Sequence, residues 1–253
     1  MPTVLTIAGS DPSGNAGIQA DIRTCERLGV KSISAITAIT SQSLTHLSGI
    51  YPVPSDILTQ QLSSSAEGEK LDSIKIGMVW NSANIRAIML FLKSTMAKHV
   101  VVDTVFASTS GAPLIEPRAM TIFKKEFLPL ATLITPNSLE AGILTGMTVW
   151  NLGTMKEAAK EIYDDIYQLR MNASKTPAVL IKGGHMEGRP VDLLYDGSGY
   201  LEFEGNRIKK DKKRGTGCRL STAVASYLAK GENLQTAIKN AKKLVEEYLA
   251  GKS

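Results

Sequence analysis

Short β-branched runs alternate with longer helical patterns along nearly the whole chain, and this alternation restricts the fold more than any other feature. Strand-like segments at Val4–Ala8, Ser32–Thr37, Ser73–Met78, Val100–Val105, Thr132–Thr135 and Val179–Lys182 lie among helical patterns at Ile18–Leu28, Ser55–Ser64, Asn84–Met96, Arg118–Phe127, Thr154–Met171 and Leu234–Leu249. Parallel strands need a crossover between neighbours, so this order predicts βαβ units and a mostly parallel sheet. Several of the strands are continuously apolar, as expected where helices cover both faces. Val191–Ile208 departs from the alternation: Asp196-Gly197-Ser198-Gly199 separates Val191–Tyr195 from Tyr200–Glu204, the pattern of an antiparallel hairpin. No Pro/Gly/Ser-rich linker or repeat divides the 253 residues. The expectation is one α/β domain over 1–253, with ligands beyond the carboxyl ends of the parallel strands.

Composition narrows the function classes. No apolar run approaches the ~18 residues of a membrane span, and no charged leader precedes Val4-Leu5-Thr6-Ile7-Ala8, so the cytoplasm is the expected compartment. Two cysteines, Cys25 and Cys218, form no disulfide framework and no metal-ligand spacing. A net charge of +5 suits either a nucleic-acid binder or an enzyme handling phosphate esters. Aromatic residues are only 6% and no basic stripe is interleaved with them, which argues against stacking platforms for nucleic acid. The densest positive run, Lys209-Lys210-Asp211-Lys212-Lys213-Arg214, reads either as a solvated loop or as a cationic funnel for polyphosphate.

Four segments carry candidate chemistry. Gly9-Ser10-Asp11-Pro12-Ser13-Gly14-Asn15-Ala16-Gly17 joins a strand to a helix with P-loop glycine spacing. Asn15 and Ala16 stand where Lys and Ser/Thr are required, however, so the P-loop reading fails. What remains is a turn that brings backbone close to a small ligand. Arg214-Gly215-Thr216-Gly217-Cys218-Arg219-Leu220-Ser221 precedes an apolar helix; its glycines let N–H groups converge into an anion hole. Cys218 falls in the first helical turn, where a thiol pKa is expected to drop. In Thr135-Pro136-Asn137-Ser138-Leu139-Glu140, Asn137 and Glu140 stand on one helical face, suiting water-mediated Mg²⁺ binding or a simple capping box. Ile181-Lys182-Gly183-Gly184-His185 sets a lysine at a strand end within reach of phosphates, and Asp103 ends another strand.

In this order the segments resemble the hydroxymethylpyrimidine and phosphomethylpyrimidine kinases of thiamine synthesis, a branch of the ribokinase superfamily. The resemblance runs from Val4 to about Leu249. It rests on Ala8-Gly9-Ser10-Asp11-Pro12-Ser13-Gly14, Gly17-Ile18-Gln19-Ala20-Asp21, Lys75-Ile76-Gly77-Met78, Thr135-Pro136-Asn137, Glu140-Ala141, Lys182-Gly183-Gly184-His185 and Gly215-Thr216-Gly217-Cys218. It implies a three-layer ribokinase-like fold and ATP with Mg²⁺ as co-substrate and metal. Gly9, Asp21, Gln42, Met78 and Val105 would line a ring pocket. Cys218 would act as base, with Gly215, Gly217, Lys182 and Asp103 around the transferring group. Lys182, Asn137 and Thr216 would meet the nucleotide, and Asn137 and Glu140 the metal through water. The implied partners are a pyrimidine substrate and ATP, with neither nucleic acid nor membrane, and a homodimer is allowed.

Four positions depart from the family pattern: Asn15 for glycine, Ser43 for asparagine, Arg214 for histidine and Arg219 for threonine. Arg219 either grips the phosphate of a monophosphate substrate or turns outward into solvent. Three rival readings stand beside the main one: a pyridoxal or pyridoxine kinase of the same branch, a catalytically idle pyrimidine sensor, and a nucleic-acid binder.

Overall fold

The computed structural model describes residues 1–43, 46–108, 111–169, 177–184, 189–208 and 214–251. Its centre is one nine-stranded sheet in the order β3-β2-β1-β4-β5-β6-β7-β8-β9. The strands are β1 (Thr3–Ser10), β2 (Lys31–Gln42), β3 (Leu47–Pro52), β4 (Ser73–Ile76), β5 (His99–Val102), β6 (Leu133–Ile134), β7 (Val179–Ile181), β8 (Val191–Tyr195) and β9 (Tyr200–Glu204). From β2 across β1, β4, β5 and β6 to β7 the pairing is parallel, whereas β3, β8 and β9 pair antiparallel at the edges.

Helices cover both faces, so the middle strands carry apolar residues on both sides. Leu5, Ile7, Ile74, Ile76 and Val102 pack with α2 (Ser55–Ala66), α3 (Ser82–Ser94), the irregular segment 117–130 and α6 (Leu152–Leu169). Val4, Val101, Leu133 and Leu180 point the other way, onto α7 (Thr216–Ala229), α8 (Leu234–Leu249) and Cys25 of α1 (Gly17–Arg27). The remaining α5 (Ser138–Thr145) follows β6. These three layers are those of the ribokinase-like α/β fold.

The helix predicted at Arg118–Phe127 forms as a chain of short turns: Pro117–Ala119, the single α-turn α4 (Met120–Ile122), the wider π-turn Phe123–Phe127, and Leu128–Leu130. Prolines open the first and sit within the last. The π-turn lets Phe123 and Phe127 stack at 5.3 Å while Phe106 meets Phe123 edge-on at 5.5 Å. Strand β2 runs five residues past its predicted end at Thr37, because β3 supplies an antiparallel ladder to its polar half. The hairpin of β8 and β9 has the predicted bounds. Lys242 of α8 donates to buried Asp192 at 2.6 Å, which fixes that hairpin against the helix layer. Among the described residues no helix is long and apolar enough to cross a membrane. His185 and the basic run at 209–213 lie outside the described residues.

Candidate active site

The carboxyl ends of the parallel strands deliver the predicted side chains to one place. Lys182, one residue beyond β7, donates to the Asp103 carboxylate at 2.6 Å, and its Nζ stands 3.9 Å from Glu140 Oε2. Asp103 follows β5 by one residue and also accepts from Thr135 Oγ1 at 3.2 Å. A Cβ built on Gly217 would lie 3.1 Å from Lys182 Nζ and 4.0 Å from Asp103 Oδ2, so the start of α7 closes over this pair. Asp103, Lys182, Glu140 and the Gly215–Gly217 segment are therefore one site.

Asn137 and Glu140 make the capping box that their spacing allows. The Asn137 side chain accepts from Glu140 N at 2.9 Å, and Glu140 Oε2 accepts from Asn137 N at 2.7 Å and Thr104 Oγ1 at 3.1 Å. No cluster of three or more His, Cys, Asp or Glu able to hold a metal occurs among the described residues. Glu140 Oε2 is occupied by these donors, so the residues fit a hard cation held through water and phosphate oxygens and do not fit an all-protein cage. Burial pushes the Glu140 carboxyl up to about 7; Lys182 opposes that shift and Asp103 adds to it.

At the start of α7, Gly215 adopts φ 74°, and a Cβ there would collide with the carbonyl oxygen of Asn15. Only glycine lets α7 begin this close to the loop after β1. On the other side of the contact, Gly17 has φ 58° and a Cβ would run into the carbonyl oxygen of Gly9. Asp11 organises the loop between them, accepting from Ser13 N, Ser13 Oγ and Ala16 N at 2.9–3.0 Å.

Three of the predicted ring-pocket residues gather beside this junction. Gly9 approaches Met78 so closely that a Cβ would meet its Sδ at 2.8 Å, and Val105 packs with Ala38, Met78 and Leu114. Gln42 ends β2 opposite Leu47 on the neighbouring edge, partly exposed. Trp80 joins the same apolar group at φ 65°, the one non-glycine residue with positive φ among those described.

The structure corrects three expectations. Asp21 does not read a ring edge: it is fully buried, and its two oxygens accept from Lys75 Nζ, Thr6 Oγ1 and Thr222 Oγ1 at 2.6–2.9 Å. The Cys218 thiol does not have a lowered pKa: burial pushes it up to about 11, outweighing Lys75 and the Gly17 N–H. Arg219 neither faces a phosphate nor extends into solvent. It is buried, its Nη1 donates to Asn15 O at 2.6 Å, and its guanidinium lies 4.0 Å from the centre of the Tyr248 ring.

Thr104 and Thr222 are site neighbours that no motif contains, and they carry no sequence signal of their own. Lys75 and Thr135 belong to family motifs but received no role there; Lys75 is a lone charge inside the apolar run Ser73–Met78.

A mostly parallel sheet between two helix layers, with a glycine-bearing helix start facing a lysine–carboxylate cluster, is the arrangement of the ribokinase-like class of small-molecule kinases. The chain belongs to the phosphomethylpyrimidine kinase family, whose model matches residues 11–253. It is 39% identical over 244 residues to the thiamine biosynthesis bifunctional protein ThiED of Geobacter sulfurreducens, covering 96% of this chain and 48% of that protein. It is 36% identical over 246 residues to the hydroxymethylpyrimidine/phosphomethylpyrimidine kinase of Aquifex aeolicus, covering 97% and 93%. The chain thus spans about half the length of the bifunctional relatives it matches. The crystal structure of phosphomethylpyrimidine kinase from Clostridium difficile superposes with a TM-score of 0.83 at 36% identity, covering 98% of this chain and 100% of the other. Pyridoxal kinase from Staphylococcus aureus in complex with AMP-PCP and pyridoxal gives 0.85 at 31%, covering 98% and 87%.

Proposed function

We propose that this protein is an ATP-dependent kinase that phosphorylates hydroxymethylpyrimidine and then its monophosphate, in the cytoplasmic synthesis of thiamine. The observation that carries the reading is the convergence of Lys182, Asp103, Glu140 and the Gly215–Gly217 turn beside the Gly9, Met78 and Val105 surface. A heteroaromatic ring resting on Met78 and Val105, with Gln42 at its polar edge, directs its hydroxymethyl group toward the start of α7.

In this reading the hydroxyl oxygen attacks the terminal phosphorus of ATP in line, its proton passes to the thiolate form of Cys218, and ADP leaves. The amides of Gly215, Thr216 and Gly217 and the Lys182 ammonium carry the charge that spreads over the transferring oxygens. Lys182 suits that role because it stays charged. Burial pulls its pKa down, but Asp103 and Glu140 more than offset this. A Mg²⁺ ion held through water by Asn137 and Glu140 would neutralise charge on the nucleotide phosphates. The fold supplies position rather than covalent chemistry, and position is what phosphoryl transfer needs most.

A second reading, pyridoxal phosphorylation, is favoured by the likeness to the Staphylococcus aureus kinase in complex with pyridoxal. One experiment tests both. Purified protein with ATP and Mg²⁺ is given hydroxymethylpyrimidine, its monophosphate and pyridoxal, singly and in competition, and ADP release is followed. Turnover of the two pyrimidines in preference to pyridoxal supports the main reading; preference for pyridoxal replaces it; no ADP release with any of them ends both.

A further inference from the structure

A third apolar group lies apart from the two cores that pack the sheet. Ala38, Met78 and Leu114 are buried at its floor, and Leu47, Ile50, Trp80 and Val105 stand around them only partly buried. A buried floor inside a half-open apolar rim is a surface that a flat ligand face can cover. Trp80 is the largest side chain of that rim. It is also the one residue other than glycine with a positive φ among those described. A bulky side chain at φ 65° is a backbone outlier, and such strain persists only where the surrounding structure enforces it.

Here it is enforced from both ends. Trp80 is the centre of a three-residue turn closed by Asn81 N, which donates to Val79 O at 3.0 Å; the positive-φ form of this turn is the rare, strained one. The Trp80 carbonyl oxygen accepts from Glu116 N at 2.8 Å, next to the bridge between Trp80 and Ile115. On one side Met78 O accepts from Thr37 Oγ1 at 2.6 Å. On the other the Asn81 side chain accepts from Asn84 N at 2.9 Å and starts α3, and Asn84 Nδ2 donates to Thr37 O at 2.9 Å. Core packing does not account for the strain. Val79 fills the main core, whereas the indole is left half-buried against the Met78 group. What the turn fixes is one aromatic side chain beside the surface where Gly9, Met78 and Val105 gather.

We propose that Trp80 is a specificity-determining residue of the ring pocket: its indole, fixed by the strained turn, is the aromatic wall that meets the flat heteroaromatic ring of the substrate beside Met78 and Val105. The proposal deepens the functional reading above and rests on it. Two aromatic rings packed offset or edge-on gain more than the area they bury, and Met78 adds a polarizable sulfur to the same surface. A saturated alcohol gains neither, and its hydroxyls would be desolvated against the indole without a partner. A wall already held in place also loses little freedom when the ring arrives, which is what the turn contributes. Gln42 then reads the polar edge of the ring, and Trp80 selects for its flatness.

Trp80 and Trp150 are the two tryptophans of the chain, and Trp150 is exposed. Trp150→Phe therefore leaves Trp80 as the single indole emitter with the site intact. Titration of that protein with hydroxymethylpyrimidine, without ATP, should shift or quench the emission and saturate at the Kd that calorimetry gives. Glucose, a saturated hydroxymethyl compound, should leave it unmoved. In parallel, Trp80→Gly removes the indole where glycine suits the backbone. It should raise Kd and KM for hydroxymethylpyrimidine about tenfold or more, with kcat and KM for ATP little changed. Trp80→Phe should recover most of that loss. If Trp80→Gly does not fold, Trp80→Leu takes its place: it fills the rim without an aromatic face, so it must still bind more weakly than Trp80→Phe. Trp80 emission unmoved by both hydroxymethylpyrimidine and pyridoxal, or equal affinity in the aromatic and non-aromatic variants, overturns the proposal. The functional reading fails separately. Emission that responds to a ring while no ADP is released ends the kinase reading and supports the role of Trp80.

Discussion

The Arg219 guanidinium donates to the carbonyl oxygen of Asn15 at 2.6 Å, joining the first turn of α7 to the loop after β1. The same nitrogen reaches Gly215 O at 3.3 Å, and the flat of the group lies on Tyr248 near the end of α8. Three segments distant in sequence are thereby tied where the start of α7 meets the loop after β1. Arg219→Thr should cost roughly 2 kcal/mol of stability, the magnitude of a lost charge-assisted hydrogen bond with an accompanying cation–π contact. Urea unfolding should show a lower midpoint with an unchanged slope. Because the guanidinium is committed to this junction, rates on the alcohol and on its monophosphate should fall together. A loss confined to the monophosphate would return Arg219 to phosphate recognition.

Gln42 is the polar group that ends β2 at the rim of the Met78–Val105 surface. If it pairs with a ring nitrogen or amino group, Gln42→Leu leaves that ligand group unpaired at ~1–3 kcal/mol. The expected result is a KM for hydroxymethylpyrimidine raised roughly 5- to 150-fold with KM for ATP nearly unchanged. Isothermal titration with each ligand separates this from a general defect, which would weaken both.

Much of the scaffold was legible because its elements obey local rules. Leu234–Leu249 forms a helix with the predicted bounds, started by the Asn233 side chain accepting from Thr236 N. Val191–Tyr195 and Tyr200–Glu204 pair around a turn whose glycines announce it. β3 escaped notice because Leu47–Pro52 mixes polar, glycine and apolar residues, and its strand character comes from the partner strand β2. In the site, glycine spacing located the α7 start and the strand-end rule located Asp103 and Lys182. What residue type could not reveal was depth. Asp21 looks like any polar residue near a loop until Lys75, Thr6 and Thr222 are found around it. A first-turn cysteine reads as activated until its burial is known.

Cys218 sits at the third position of α7, next to Gly217, whose Cβ position would lie 3.1 Å from Lys182 Nζ. Cys218→Ala should lower kcat by roughly 10²–10⁴, the range for a lost acid–base group. KM for both substrates should change far less, since alanine fits the same helix and removes no ring contact. Steady-state rates on hydroxymethylpyrimidine with saturating ATP decide it. A kcat within a few-fold of wild type would leave Cys218 as a packing residue.

Glu140 offers a prediction whose sign follows from its surroundings. Burial, with Asp103 nearby, holds its carboxyl up at about 7, well above its unfolded value, while Lys182 limits the rise. A carboxyl raised on folding binds its proton more tightly in the native state. Its contribution to stability is therefore complete below the unfolded pKa and is lost as pH rises through about 7. The wild-type protein should lose up to about 3 kcal/mol from this group between about pH 5 and about pH 8, whereas Glu140→Gln should lose none of it. The capping bond from Asn137 N is kept by the glutamine oxygen, so the variant's stability relative to wild type should improve steadily with pH. The same titration governs the metal. Only the ionised carboxylate attracts Mg²⁺ through water, so the Mg²⁺ concentration for half-maximal rate should climb in the wild type as pH falls below about 7. In Glu140→Gln it should be high at every pH and flat. Urea unfolding and Mg²⁺ titrations across the same pH series check both halves. A pH-independent stability difference would mean that Glu140 titrates normally, and an unchanged Mg²⁺ requirement would leave it as a helix cap.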